Sequence, residues 1–454
     1  MILDLPVYIL HRFLQDWCAS VDLVRLDSAL CVHKLREKFL RTIGSDQFVF
    51  KNALLQHHQA LVLKWLLCRN VSVDHLAIKP SSELDSRNWG NSSLAKVTKS
   101  LRGLFLSEFA HPKRDFVRNM LQLSPSLRML NVCGCIMNDE VCSLISEFHP
   151  DLSKLDLIRT SIHPTSLRRM FQGFARLTSF GLTYGVVSST GMLDIAYYCP
   201  HLISFAYFEN SFGDPPPVYH AKTLTCEALT VICSMCTHLK HLFIIYDCAA
   251  RHTMPLSVVY SAITHRLPLL QTLHMRHVII TDNRGLELLL DSLHDLQQLC
   301  TGADGLSNVE FIRLLYQHPT LRNLSLYQTT MSPNFEITGI TAAQNPLQPN
   351  RLRRLELSRF AALTDYGMHC ILRACHKVHT LTVSGAPMIN PEFVIPMVLQ
   401  LCPRMKNVYF DGCMRFTQAK VNGMLIMLGR ELNIGVNNPY QFTQIDHSDE
   451  SDSD

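Results

Sequence analysis

An apolar-x-x-apolar-x-apolar pattern starts at Val73, Leu101, Leu127, Leu152, Leu177, Leu202, Leu239, Leu270, Leu296, Leu321, Leu352, Val378 and Met405. Eight of the twelve intervals between these starts are 25–27 residues long. A chain with so short a period has no single centre to fold around, so each unit must bury its apolar face on the next. The units read alike. An alternating segment such as Leu155–Thr160 or Leu324–Thr329 predicts a strand, because period two puts every second side chain on one face. A polar turn follows, as at 281–285 and 364–367, where Asp282 and Asp365 are expected to cap a helix. Helical spacing comes next, in Leu286, Leu289, Leu290 and Leu293, and again in Met368, Ile371, Leu372 and Cys375. The sixth position departs from the pattern at Tyr207 and Thr301.

Periods of this length mark leucine-rich repeats. "CPHL" at 199–202 and "CPRM" at 402–405, with "CTHL" at 236–239 and "CHKV" at 375–378, resemble the cysteine-containing subtype. The resemblance covers about residues 70–430. It implies an α/β solenoid of about thirteen repeats, ribonuclease-inhibitor-like, with parallel strands on a concave face and helices on a convex one. The Asn-Gly-Pro-rich signature of the extracellular subtype is absent.

Residues 1–45 stand outside the repeat. "LDLPVYILHRFLQDW" places Asp4 as a candidate cap and Pro6 near the first helical position. Leu10, Phe13, Leu14 and Trp17 form one stripe, and a second amphipathic helix is expected over 20–40 with Leu23, Leu26, Leu30 and Leu35. Leu5-Pro6, Ile9-Leu10, Phe13-Leu14 and Asp22-Leu23 resemble an F-box, although Leu35 stands where that family has Trp. The resemblance implies docking onto the Skp-type linker of an SCF ubiquitin ligase, through Leu5, Pro6, Leu10, Phe13, Leu14, Leu23 and Leu26. The alternative is that these helices only cap the open core of the first repeat. Residues 46–72 read as a linking helix with Trp65 and Leu66 packed on that repeat, 73–430 as the solenoid, and 431–454 as an extension ending in a disordered acidic tail.

The chain offers little chemistry of its own. Hydrophobic residues make up 47% and charged residues 18%, which supports a packed fold over most of its 454 residues. Net charge is +4, and the last nine residues hold five acids. In that tail Ser451 has an acid three residues on, which suits an acidophilic kinase. The cations are scattered, so the mild basic bias reads as a solvated surface and no nucleic-acid partner is expected. Sixteen dispersed cysteines are sparse for a disulfide scaffold. Asp4, Pro6 and His11 spoil a signal peptide, and no run of about 18 apolar residues exists. The expected location is therefore cytoplasm or nucleus. No phosphate loop or dinucleotide motif occurs. Cys233-x-x-Cys236 lacks the second pair a zinc site needs. No enzyme activity, cofactor or metal is expected.

A target protein is expected on the concave face, where the odd strand positions point. Many are small or polar, among them Ser179, Gly181, Ser204, Ala206, Thr380 and Thr382. The large ones are Phe105, Met129 and Ile158; then Phe208, His241, Phe243, Ile245, His274 and Arg276; then Tyr327, Arg354 and Tyr409. Such side chains supply most binding energy at interfaces. The middle group adjoins a Pro- and Gly-rich insertion at Glu209–Lys222, either a binding loop or a tolerated one. A second insertion follows Met331. Two functions emerge: a substrate receptor of an SCF-type ligase, or an interaction scaffold without that link.

Overall fold

The structure is a computed structural model that describes residues 5–18, 20–30, 32–45, 47–54, 59–78, 91–107, 114–134, 136–137, 139–158, 160–174, 176–183, 189–208, 226–245, 256–276, 284–303, 318–328, 351–413, 415–428 and 433–436. Asp4, Cys31, Asp282, both insertions, the acidic tail and the Trp17 side chain lie outside the described residues. The chain divides into two compact units, Met1–Asp247 and Cys248–Asp454.

The first unit opens with α1 (Val7–Trp17), α2 (Ser20–Ala29) and α3 (His33–Ile43). Strand β1 (Val49–Leu54), α4 (Gln59–Arg69), β2 (Ser72–Ile78), α5 (Asn91–Thr98), β3 (Gly103–Ser107), α6 (Arg114–Gln122) and β4 (Met129–Cys133) follow. A short β5 (Ile136–Met137) precedes α7 (Asp139–Phe148) and β6 (Lys154–Ile158). A short β7 (Ser161–Ile162), α8 (Pro164–Gln172), β8 (Ser179–Thr183), α9 (Ser189–Tyr198), β9 (Ser204–Phe208), α10 (Cys226–Met235) and β10 (His241–Ile245) complete it. The order β1-β2-β3-β4-β6-β8-β9-β10 is all parallel. Consecutive strands are neighbours with a helix between them, as a solenoid requires.

The second unit holds α11 (Leu256–Arg266), β11 (Thr272–Arg276), α12 (Arg284–Ser292), β12 (Gln298–Gly302), β13 (Asn323–Tyr327) and β14 (Arg354–Ser358). Then come α13 (Asp365–Ala374), β15 (Thr380–Ser384), α14 (Pro391–Leu401), β16 (Asn407–Asp411), α15 (Gln418–Leu428) and β17 (Asn433–Gly435). Its strands also pair parallel in chain order.

The repeat sets the register. Leu104, Leu130, Leu155, Phe180, Phe205 and Leu242 stand side by side on successive strands of the first unit. Leu273, Leu299, Leu324, Leu355, Leu381 and Val408 do so in the second. All twelve are buried. These columns lie under the helices and form a continuous apolar seam within each unit. Thr301 is tolerated in such a column because the buried Tyr260 hydroxyl lies 2.9 Å from its Oγ1.

Several boundaries differ from the expectation. The segment 46–72 is a strand and a helix, and the sheet starts at β1, one unit before Val73. The sheet likewise runs on to β17, beyond residue 430. The second amphipathic helix is two helices, broken at Leu30–Val32, with Val32 extended at the α3 N-cap. Pro6 is the N-cap of α1, where its carbonyl accepts from the Ile9 and Leu10 amides, both at 3.0 Å. At α13 the cap is Thr364, whose hydroxyl accepts from the Gly367 amide at 3.2 Å. Asp365, one residue inside, instead accepts from the Asn390 amide of the next repeat at 2.7 Å.

A second ladder ties each helix end to its neighbour. Three residues ahead of most first apolar positions among the described residues sits a buried residue that often carries a weak donor. The Cys236 thiol donates to the Cys199 carbonyl at 3.6 Å, and the Cys402 thiol to those of Leu372 and Cys375, each at 3.6 Å. His149 Nε2 donates to the Leu121 carbonyl at 3.0 Å, and His318 Nε2 to that of Leu293 at 2.9 Å. Each of these helix-end carbonyls also accepts a backbone amide, at 3.0–3.3 Å, so the side-chain donor adds a second bond to it from the neighbouring repeat. A thiol or an imidazole does it from inside the core.

Candidate interaction surfaces

The N-terminal helices build one candidate surface. Their inner face is committed: Leu10, Leu14 and Leu23 are interior, and Gln15 Nε2 donates to the Val49 carbonyl of edge strand β1 at 2.8 Å. Asp27 anchors the group. It is 3% exposed and accepts from Arg36 Nε at 2.8 Å, Trp65 Nε1 at 2.9 Å and Arg69 Nε at 3.1 Å. Burial alone would raise its pKa; these donors and charges hold it below the usual carboxylate value. One side chain thus joins α2, α3 and α4, and the helices cover an edge that would otherwise be open for pairing.

The outer face is apolar. Tyr8 is 70% exposed and Val32 57%, with Leu5 and Ile9 also exposed. Pro6 is exposed, and Phe13 and Leu26 are half-buried. Of the seven residues expected to dock a linker, Leu5, Pro6, Phe13 and Leu26 therefore remain accessible. Leu10, Leu14 and Leu23 do not, because their side of each helix packs on the sheet. Sequence reasoning left out Tyr8 and Val32; their polar-looking or interrupted context hid them.

The open face of the sheet is the second candidate, described unit by unit. In the first unit Phe105, Met129, Ile158, Phe208, His241, Phe243 and Ile245 are all half-buried, as odd strand positions should be. Cross-strand register places Asp156, Gly181, Ala206 and Phe243 in one row. Gly181 and Ala206 make a low floor between Phe243 and the Asp156 carboxylate, which are about 14 Å apart across three strand spacings. A Cβ on Gly181 would meet Asp156 Oδ1 at 2.5 Å, so glycine is what lets the carboxylate lie there. Lys154 Nζ stands 3.4 Å from Asp156 Oδ2, and Asn131 Nδ2 donates to the same oxygen at 3.4 Å. Burial still pushes the Asp156 pKa up. In the next row Phe208 and Ile245 are paired beside that floor.

In the second unit His274, Arg276 and Tyr409 are half-buried and Arg354 is exposed. Tyr327 differs from the expectation. It is 3% exposed, and its hydroxyl donates to the Met275 carbonyl, two strands away, at 2.6 Å. Its register partner is Gly302, whose missing side chain leaves room for the ring. Tyr327 is thus a brace across the sheet rather than a free anchor. The insertion at 209–222 lies outside the described residues, so its relation to Phe208 is a matter for the sequence alone.

The buried cysteines are packing groups. Burial pushes the thiols of Cys199, Cys233, Cys236 and Cys300 up to about 12, far from a reactive thiolate. Among the described residues no three His, Cys, Asp or Glu side chains converge as metal ligands, and no helix is long and apolar enough to cross a membrane.

No family model matches the chain, and no curated protein matches it. Among solved structures it is similar to the crystal structure of the Rad7 and Elc1 complex in yeast, with TM-score 0.45 and 13% identity over 91% of this chain and 89% of that one. It is also similar to the TLR13–ssRNA13 complex, with TM-score 0.35 and 13% identity over 70% of this chain and 40% of that one. The period, the parallel register and the buried leucine columns are those of an α/β leucine-rich repeat solenoid.

Proposed function

We propose that the chain is a non-catalytic substrate receptor of an SCF-type ubiquitin ligase. Its N-terminal helices dock a Skp-type linker and the open face of its sheet holds the target protein. One observation carries the reading. Tyr8 and Ile9 are exposed on the same helix whose Leu10 and Leu14 pack on the sheet, and Leu5 is exposed just ahead of it. An apolar outer face on a helix already anchored from within suits a helix-in-groove contact. On the open face, Phe208, Phe243 and Ile245 beside the Gly181–Ala206 floor are the expected target anchors.

The test is direct binding of the full chain to a Skp-type linker, for instance by calorimetry. Saturable binding that Tyr8→Asp/Ile9→Asp lowers at least about tenfold supports docking. No binding by the unaltered chain ends the ligase reading. A second reading, a scaffold with the same open face and no ligase link, then stands. It is favoured by the interior position of Leu10, Leu14 and Leu23 and by Leu35 in place of the F-box Trp.

A further inference from the structure

The strand-entry edge of the second unit carries a row of three cations and a histidine that the sequence disperses. The residue just after the first apolar position of each repeat is Arg322, Arg353, His379 and Lys406 on four successive strands. Their backbones are chained. The Arg353 amide donates to the Arg322 carbonyl at 2.7 Å, His379 to Arg353 at 2.7 Å, and Lys406 to His379 at 2.8 Å. The row therefore spans about 14 Å, three strand spacings. Arg351, Arg354 and Arg404 flank it, and all six Arg and Lys side chains are exposed. The segments 318–323, 351–354, 373–380 and 401–407 that form this edge contain no Asp or Glu. Among the described residues none of the six cations makes an ion pair, in contrast to the same edge of the first unit.

We infer that this edge docks an acidic peptide segment of a partner protein. Arg322 and Arg353 are held about 5 Å apart and Lys406 about 10 Å further on; these like charges repel, so the row costs stability unless a complementary charge covers it. Its length fits a short run of acids: an extended peptide presents same-side groups about 7 Å apart, so two or three carboxylates span it. Nucleic acid fits less well. Single-strand sites add aromatic platforms to their cations. Among the described residues the exposed aromatics of this unit, Tyr366 and Phe393, are at the starts of α13 and α14, beyond the strand-exit edge. A duplex site needs more phosphate contacts than a row this short provides. The inference is independent of the ligase reading, since it uses none of the N-terminal helices.

The test uses the full chain and a labelled peptide of alternating Asp and Ser, followed by fluorescence anisotropy. Saturable binding is expected, weakening at least about tenfold between roughly 50 mM and 300 mM salt. Arg322→Gln/Arg353→Gln/Lys406→Gln should lose at least about tenfold in affinity while keeping its thermal midpoint, and the Glu versions should lose more. Arg102→Gln/Arg128→Gln, on the first unit's edge, should change binding less than about twofold. Equal binding by the unaltered chain and the triple variants overturns the proposal. So does tighter binding of a charge-matched oligonucleotide or of anionic vesicles through the same residues. Neutralising the acids of residues 446–454 decides the source. A gain of about tenfold or more for the probe means the chain's own tail competes in cis, and the assignment to a partner falls. An unchanged affinity supports it.

Discussion

The same edge of the same repeat is built differently in the two units. In the first, Arg102 lies 3.6 Å from Asp74, and Arg128 and Arg176 both lie 3.4 Å from Asp151. In the second, Arg322, Arg353 and Lys406 stand without a carboxylate among the described residues. Yet the interiors match, column for column. Stability in a repeat array is held by the buried columns, which leaves the edge open to variation. The paired edge is what a solvated surface looks like. The unpaired one is where charge is kept available.

The largest effects should show how alike the interiors are. Leu155→Ala in β6 and Leu355→Ala in β14 should each cost about 2–5 kcal/mol by denaturant unfolding, since both side chains are fully buried. A loss below about 1 kcal/mol in either would break the claim that the units share one kind of core.

The helix-end ladder comes next. Burial lowers the His149 pKa to about 4, against the pull of the Leu121 carbonyl, and lowers that of His318 as well. Both are neutral in the fold. Above the unfolded value of about 6.5 neither state binds a proton, so their contribution is fully present. As pH falls from there towards about 4, only the unfolded chain protonates, and stability is lost. His149→Gln should remove part of that slope, on the order of 3 kcal/mol between the two limits, in unfolding titrations across this range. An unaltered slope would show that His149 is not held neutral.

A smaller effect tests the strand-exit edge. Gly134, Gly385 and Gly412 take positive φ just after their strands, and Arg359 takes φ 63° at the same place. Arg359→Gly should raise stability by about 1 kcal/mol by removing left-handed strain. It should leave acidic-peptide binding unchanged, because this cation is on the other side of the strand. The smallest change is Asp151→Asn, which removes the carboxylate beside Arg128 and Arg176 and keeps the Asp151 carbonyl that accepts from Arg128 at 3.1 Å. It should cost about 0.2–1 kcal/mol and increase capture of the acidic probe, making the first edge resemble the second. No increase would mean that pairing is not what separates them.

Much of the fold was legible in the chain. Periodicity placed Leu130, Leu155, Leu324 and Leu355 in the core, and all are buried, the first two in the first unit and the last two in the second. The half-buried open-face positions followed from alternation. Less was legible at the ends. The residues of β1 carry no full repeat pattern, and only pairing with β2 makes them a strand. His149 and His318 occupy the place of the helix-end cysteines. Their offset from the next leucine was a usable signal, but histidine does not look like cysteine until its donor is seen.

Period and alternation, read along one dimension, determined the repeat, the buried columns and the side of each strand that faces solvent. They are local properties of spacing, and backbone geometry translates them directly. Tertiary structure alone decided which distant residues became neighbours. Arg322, Arg353 and Lys406 are separated by 31 and 53 residues, too far for any charge run to register. Stacking brings them to steps of about 5 Å and about 10 Å, and Coulomb repulsion acts over those distances rather than along the chain. The same holds for Tyr327, whose role was set by a glycine in the strand beside it and a carbonyl one strand further.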